Sequence, residues 1–283
     1  MVETDDMLEE IEYINSGRMV DLPDIWPDSI DDVAYIGDKR SPYDEGEHYK
    51  KALILLRRDI QPNDLKRFHD VENILIIDTL IDERLSLKHF RMLETLTIVD
   101  VRFGDTLPDF GPNRTICAIS SGRDENDPEG TIFLEKLLAS TSRTGTEMTI
   151  MIPWSGNRIV DGWFGRVLHF FPDRRSSEDT TFRFSNCPNL IRICFCGYKT
   201  RFTGAFISHL PQLEHFSADC LNHLELENEM PSLTNLRLES DPKTYGTIKG
   251  LENCSYLHYL ELKRYHLSDL RTVSGNSEMK AID

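Results

Sequence analysis

The stretch MPSLTNLRLES (residues 230–240) carries leucines at 233, 236 and 238 with mostly polar residues between them. The same spacing of apolar residues returns in CPNLIRICFCG (187–197), LPQLEHFSADC (210–220) and SYLHYLELKRY (255–265), and upstream in RMLETLTIVDV (91–101). The units open at Val71 and Leu93 in the first half, and at Leu190, Leu213, Leu233, Leu257 and Met279 in the second, with Ile282 just beyond. Within each half the period is short and nearly constant, in the range that marks solenoid repeats. A unit this short cannot shelter its own apolar side. It is stable only when stacked on a neighbour, so the repetition predicts a pile of coils around one continuous core.

Short β-like runs recur along the chain, at 31–38, 51–57, 72–78, 93–99, 114–120, 147–153, 189–195, 213–219, 233–239 and 257–263. Helical patterns lie between several of them, most clearly at 62–70, 131–141 and 161–171. Strands separated by crossovers of this length pair in parallel. In the last of these patterns Trp163, Phe164, Val167, Leu168 and Phe171 fall at helical spacing, which predicts a core-facing helix. That reading competes with an RNA site, since residues 154–175 also hold several arginines. The segment LNHLELENE (221–229) repeats the leucine spacing only eight residues after Leu213. That is too close for a parallel neighbour, so 221–226 is expected to be an extended return segment on the convex side.

The residues Leu93, Leu96, Ile98; Leu190, Ile193, Phe195; Leu213, Phe216, Ala218; Leu233, Leu236, Leu238; and Leu257, Leu260, Leu262 resemble the leucine-rich-repeat superfamily. The resemblance covers residues 50–283 and is clearest over 187–265. It implies an α/β solenoid with a curved parallel sheet on the concave side and short helices and extended segments on the convex side. The family often places Asn or Cys eight residues after the first leucine. Here Val101, Tyr198, Leu221, Asp241 and Tyr265 stand at those positions, which implies an irregular solenoid without that ladder.

Alternation with period two sends the residues between the motif's apolar positions to the other face of the sheet. In the second half these are Arg192 and Cys194, His215 and Ser217, Asn235 and Arg237, and Tyr259 and Glu261. Cys196, Asp219, Glu239 and Lys263 lie just beyond. Arg192, His215, Asp219, Asn235, Arg237, Glu239, Tyr259, Glu261 and Lys263 are therefore the candidate partner-binding residues, expected on the concave face. The matching positions of the first half, Asn73, Leu75, Ile77, Thr95, Thr97 and Val99, are more apolar. That predicts a face that is covered or used for binding.

The net charge of −16 is concentrated at the start of the chain. Residues 1–47 hold 15 acidic and 3 basic side chains, and the remainder holds 33 and 29. Residues 1–47 read as an acidic N-terminal helix (3–15) with an irregular lead-in and cap, and 48–283 as the solenoid, with 266–283 closing its far end. Such a balance disfavours nucleic acid and anionic membranes and favours a basic protein partner. The opening MVETDDMLEEIEY has no basic n-region or apolar h-region, and no apolar run is long enough to span a bilayer, which predicts a cytoplasmic protein.

No phosphate-binding loop, dinucleotide fingerprint or catalytic-serine elbow is present. The spacing C-x6-C-x-C-x23-C-x2-H, made by Cys187, Cys194, Cys196, Cys220 and His223, leaves open a zinc- or cysteine-dependent enzyme near 187–223. The expectation this sequence favours is a non-enzymatic protein-binding module with no catalytic residue, cofactor or metal. Its acidity suits an inhibitor or immunity protein that covers a basic toxin.

Overall fold

The computed structural model describes residues 33–36, 52–56, 65, 68, 70–77, 79–111, 115–119, 131–141, 147–152, 157–172, 180–195, 202–266 and 278–282. In chain order the first half holds β1 (Val33–Ile36), β2 (Ala52–Leu56), β3 (Asn73–Ile77), β4 (Leu80–Ile81), β5 (Thr95–Val99), β6 (Arg102–Phe103) and β7 (Thr115–Ile119). Helix α1 (Thr131–Thr141) and β8 (Glu147–Ile152) follow. The second half holds β9 (Asn157–Asp161), β10 (Val167–Pro172), β11 (Thr180–Ser185), β12 (Arg192–Phe195), β13 (Phe202–Ser208) and β14 (His215–Ala218). It ends with β15 (His223–Leu226), β16 (Asn235–Glu239), β17 (Thr247–Lys249), β18 (Tyr259–Lys263) and β19 (Glu278–Ile282).

Twelve strands form one long sheet in the order β1-β2-β3-β5-β7-β8-β10-β12-β14-β16-β18-β19. Every pairing in it is parallel. Opposite it runs a return wall. The wall begins with the pair β4-β6, passes through α1, and continues as a five-stranded parallel sheet ordered β9-β11-β13-β15-β17. Each coil is a long-sheet strand, a corner, a return segment and a second corner. Ile193, Phe216, Leu236 and Leu260 are register partners on successive coils, as the leucine spacing requires.

The core lies between the walls. From the long sheet, Ile74, Leu96, Ile116, Met148, Leu168, Ile193, Phe216, Leu236 and Leu260 point into it. From the return wall, Val160, Phe182, Phe184, Ala205, Ile207, Leu224, Leu226 and Ile248 meet them. All belong to one contiguous cluster.

Corners need the chain to turn sharply at the end of a strand, and the left-handed backbone region does this in one residue. Gly162, Asn186, His209 and Gly250 take positive φ directly after β9, β11, β13 and β17. Asp100 and Arg264 do so after β5 and β18, and Cys220 just past β14. A tight turn then leads into the next long-sheet strand. Its bonds run from the amides of Leu190, Leu213, Leu233 and Leu257 to the carbonyls of Cys187, Leu210, Met230 and Cys254. Pro188, Pro211 and Pro231 occupy the second position of three of these turns, where their fixed φ fits.

One expectation is corrected and a second is met in part. Residues 161–171 are not a helix: Asp161 ends β9, a corner follows, and β10 belongs to the long sheet. Positive φ at Gly162 and the Trp163 ring lying where Gly165 would carry a Cβ break any helix here. Leu168 and Phe170 are both fully buried with His169 between them less so, so the period is two. Second, the return wall is largely strand, so helices are a minor part of this α/β expectation. The expectation for 221–226 holds as an extended return segment, realised as β15. The helix at 131–141 is present with the expected bounds. The proposed helices at 3–15 and 62–70 lie outside the described residues, save Leu65, Phe68 and Asp70, of which Leu65 and Phe68 are buried.

Candidate functional site on the outer face of the long sheet

Parallel pairing without a register shift stacks equivalent positions into rows. Arg192, His215, Asn235 and Tyr259 form one row across β12, β14, β16 and β18. Cys194, Ser217, Arg237 and Glu261 form the next. Glu239 and Lys263 are partners in a third row, at whose near end Asp219 follows β14. All nine candidate residues thus share the face turned away from the core. Arg192 and Arg237 are exposed, and the other seven are half-buried.

The face is a connected polar network. Asn235 places its Nδ2 2.7 Å from His215 Nδ1. The Tyr259 hydroxyl donates to Glu261 Oε2 at 2.6 Å, and Arg237 Nε lies 3.4 Å from the same oxygen. Lys263 Nζ bridges Glu239 at 3.4 Å and Glu261 at 3.5 Å. Arg264 Nη2 meets Glu239 Oε1 at 2.6 Å and also donates to the Ser240 carbonyl at 2.9 Å. The Tyr259 hydrogen bond, working against burial and helped by Arg237 and Lys263, holds the Glu261 carboxyl below its ordinary range. Burial opposes ionisation of Glu239, but the Arg264 hydrogen bond and the charges of Lys263 and Arg264 outweigh it, and its pKa is also lowered. Asp219 differs. Burial pushes its pKa up, and the opposing pulls of Arg237 and Lys263 do not reverse this.

Two participants escape the leucine pattern. Arg264 follows the last motif position and enters the network only because its left-handed corner conformation fixes the side chain's root beside Glu239 and Ser240. His169 is the register partner of Cys194, in the row of Ser217 and Arg237. The helical reading of 161–171 hides it. Burial, with the nearby Arg192 charge, lowers its pKa, against the pull of Glu147.

Much of the same face is closed in the first half. Leu75, Ile77, Thr97, Val99 and Cys117 lie on it, and each is at most 7 % exposed. They sit apart from the cluster between the walls. The apolar character of these positions thus marks a covered patch, bordered by half-buried Asn73 and Thr95 and exposed Thr115 at the strand starts, and the face opens more fully from β8 and β10, at half-buried Thr149 and His169.

The described cysteines of the C-x6-C-x-C-x23-C-x2-H set do not converge, and Cys196 lies outside the described residues. Cys187 is buried at a corner, where its thiol donates toward the Ser185 carbonyl. Cys194 is on the outer face of the long sheet and accepts from Ser217 Oγ at 3.1 Å, whereas Cys220 turns a corner. His223 stands on the return wall with Nδ1 2.7 Å from Thr247 Oγ1. Among the described residues no group of three or more metal-ligating side chains comes together. Burial raises Cys117 and Cys187 to about 11 and Cys254 to about 12, so these thiols stay protonated at neutral pH.

The missing ladder is replaced by packing. Val101, Leu221 and Tyr265 are buried at three of its positions, and the Tyr265 hydroxyl donates to the Leu221 carbonyl two coils away. Helix α1 is tied at both ends: Arg158 donates to Thr131, and Trp163 Nε1 to Thr141 Oγ1 at 3.0 Å. Lys136 Nζ meets the carbonyls of Phe103 and Gly104 at 3.2 and 2.7 Å, joining the helix to β6. No described helix is long and apolar enough to cross a membrane.

The protein is a parallel β-solenoid of stacked coils with one open, networked polar face. No protein-family model matches the chain, nor does any curated protein or solved structure.

Proposed function

We propose that this chain is a non-enzymatic protein-binding module built of irregular leucine-rich repeats, and that it holds a protein partner on the outer face of β12, β14, β16 and β18. One observation carries this reading. The face is buried at Leu75, Ile77, Thr97, Val99 and Cys117 in the first half but opens into in-register rows of polar, charged and aromatic side chains in the second half. Repeat solenoids use such extended faces for recognition, and tyrosine and arginine are frequent anchors in interfaces. The acidity of residues 1–47 supports a basic partner approached by electrostatic steering, as an inhibitor or immunity protein would approach a basic toxin.

The test is affinity purification from the native source with quantitative mass spectrometry. The baits are the wild-type chain and the double variant Arg237→Glu with Glu261→Lys. The swap keeps a mutual ion pair across β16 and β18 while reversing the charges a partner meets, so the variant retains its fold by circular dichroism. A protein enriched on the wild type and lost on the folded variant supports the reading. Equal capture by both baits overturns it.

A further inference from the structure

The three carboxylates of the outer face are not equivalent. Glu261 is held by Tyr259, Arg237 and Lys263, and Glu239 by Lys263 and Arg264. Each of these cations therefore already faces one of these two carboxylates. The Asp219 carboxylate has neither a hydrogen bond nor an ion pair with any described residue, although Arg237 and Lys263 are near enough to influence its charge. Its position is nonetheless fixed. The Asp219 amide donates to the Phe195 carbonyl at 3.0 Å, and the next residue, Cys220, turns the corner at positive φ. Asp219 is thus a half-buried carboxylate held at a strand end, still open to solvent and without a described side chain paired to it.

A partly desolvated acceptor without a partner is unfavourable in the free protein, and a charged donor brought by another molecule relieves it. Resting on the reading of this face as a partner-binding surface, we propose that Asp219 is the socket for an arginine or lysine side chain of the protein partner. Charge favours this occupant over a neutral donor. Of the three carboxylates of this face, Asp219 is the one without an ion pair to a described residue. The fork of an arginine matches both carboxylate oxygens and leaves the Glu239 and Glu261 pairs undisturbed.

A phage-displayed library of random dodecapeptides, selected on the full chain, tests the proposal without knowledge of the natural partner. The selected peptides are expected to share a basic residue at one position. Replacing that residue by alanine, or Asp219 by asparagine, should each weaken binding about tenfold to hundredfold. Combining the two should weaken it no further, because both changes remove the same contact. Additive losses, or selected peptides without a basic position that bind the Asp219→Asn chain equally well, overturn the socket. If those peptides are still weakened by Asn235→Ala or Tyr259→Ala, the surface reading survives without it. Peptides indifferent to all three variants, or no selected peptide at all, overturn the surface reading and the socket together. Circular dichroism of each variant separates loss of contact from loss of fold.

Discussion

Phe195 is the joint between the two walls. It lies on β12 in the middle of the stack and is 1 % exposed. Its ring centroid is 5.1 Å from Phe170, 4.8 Å from Phe182, 6.0 Å from Phe184, 5.1 Å from Phe202 and 5.9 Å from Phe216. Two of these rings come from neighbouring long-sheet strands and three from the return wall, so one side chain couples three coils in both directions. Phe195→Ala removes a fully buried ring and leaves a cavity among residues that cannot close on it, a loss of about 3–5 kcal/mol. Phe195→Leu keeps most of the apolar burial but loses the ring pairs, worth ~0.5–1.5 kcal/mol each and not additive, for a net of about 1–2 kcal/mol. In a stack held together by nearest-neighbour contacts, a weak coil also uncouples its two sides. Urea unfolding followed by both tryptophan fluorescence and far-ultraviolet dichroism detects this. All three tryptophans, Trp26, Trp154 and Trp163, precede Phe195 in the chain, so fluorescence reports the first part and dichroism the whole. The wild type should give coincident curves, and Phe195→Ala curves that separate, each with a reduced m-value. A loss below ~1 kcal/mol with coincident curves would refute the idea that this ring couples the coils.

Two further perturbations separate backbone strain from crowding and isolate the charge network. Gly162 and Gly250 both sit at positive φ, but a Cβ at Gly162 would meet nothing within 4 Å, whereas one at Gly250 would overlap the Leu226 carbonyl. Gly162→Ala should therefore lose only the left-handed penalty of about 1–2 kcal/mol, and Gly250→Ala about 2–4 kcal/mol, and equal losses in denaturant titrations would contradict the corner geometry. Glu239 and Glu261 have folded-state pKa values below the ordinary range, so their stabilisation is present above about pH 4.3 and is lost as pH falls through the folded values. Asp219 has the opposite sign: its raised folded pKa favours the fold at acid pH, and that contribution fades as pH rises through it. Glu261→Gln should flatten the acid limb of stability against pH, and Asp219→Asn should raise stability at neutral pH. The reverse order would show that the three carboxylates are not arranged as described.

What the sequence makes legible follows from where period two is clean. Leu233, Leu236 and Leu238 are buried while Asn235 and Glu239 are half-buried and Arg237 exposed, so both the coil and its outward face can be read directly. The return strands β9, β11 and β13 are harder. NRIVD and TTFRFS are short, carry no leucine spacing, and are bounded by corners whose left-handed residues include Asn186 and His209 as well as Gly162. Around Trp163 the aromatics happen to fall at helical intervals, and only the contact of Trp163 with Gly165 and Thr141 reveals a corner. The face residues are legible by position but their partnerships are not. Nothing local says that Arg264 turns back to Glu239 or that Asp219 is passed over, because both depend on the register between strands of successive coils.

The two-walled architecture also limits what the open face can hold. A solenoid curves when its walls rise unequally, and a helix about 10 Å wide opposite strands ~4.8 Å apart would force this. Here only the coil between β7 and β8 carries the described helix. Its extra chain shows in the register, where Thr95 pairs with Thr115 but Thr115 pairs with Glu147, a much longer step along the sequence. Beyond it, strand faces strand. The outer face of β12 to β18 is then a lattice with ~4.8 Å between rows and about 6.8 Å between like-facing residues along a strand. A lattice of that kind does not enclose a small molecule, because it has no side walls to exclude water. On the proposed reading it engages a broad surface, on which a few fixed contacts decide the partner while the rest only fit. Tyr259 is anchored on it by its hydroxyl to Glu261, whereas Asp219 feels Arg237 and Lys263 without an ion pair to either.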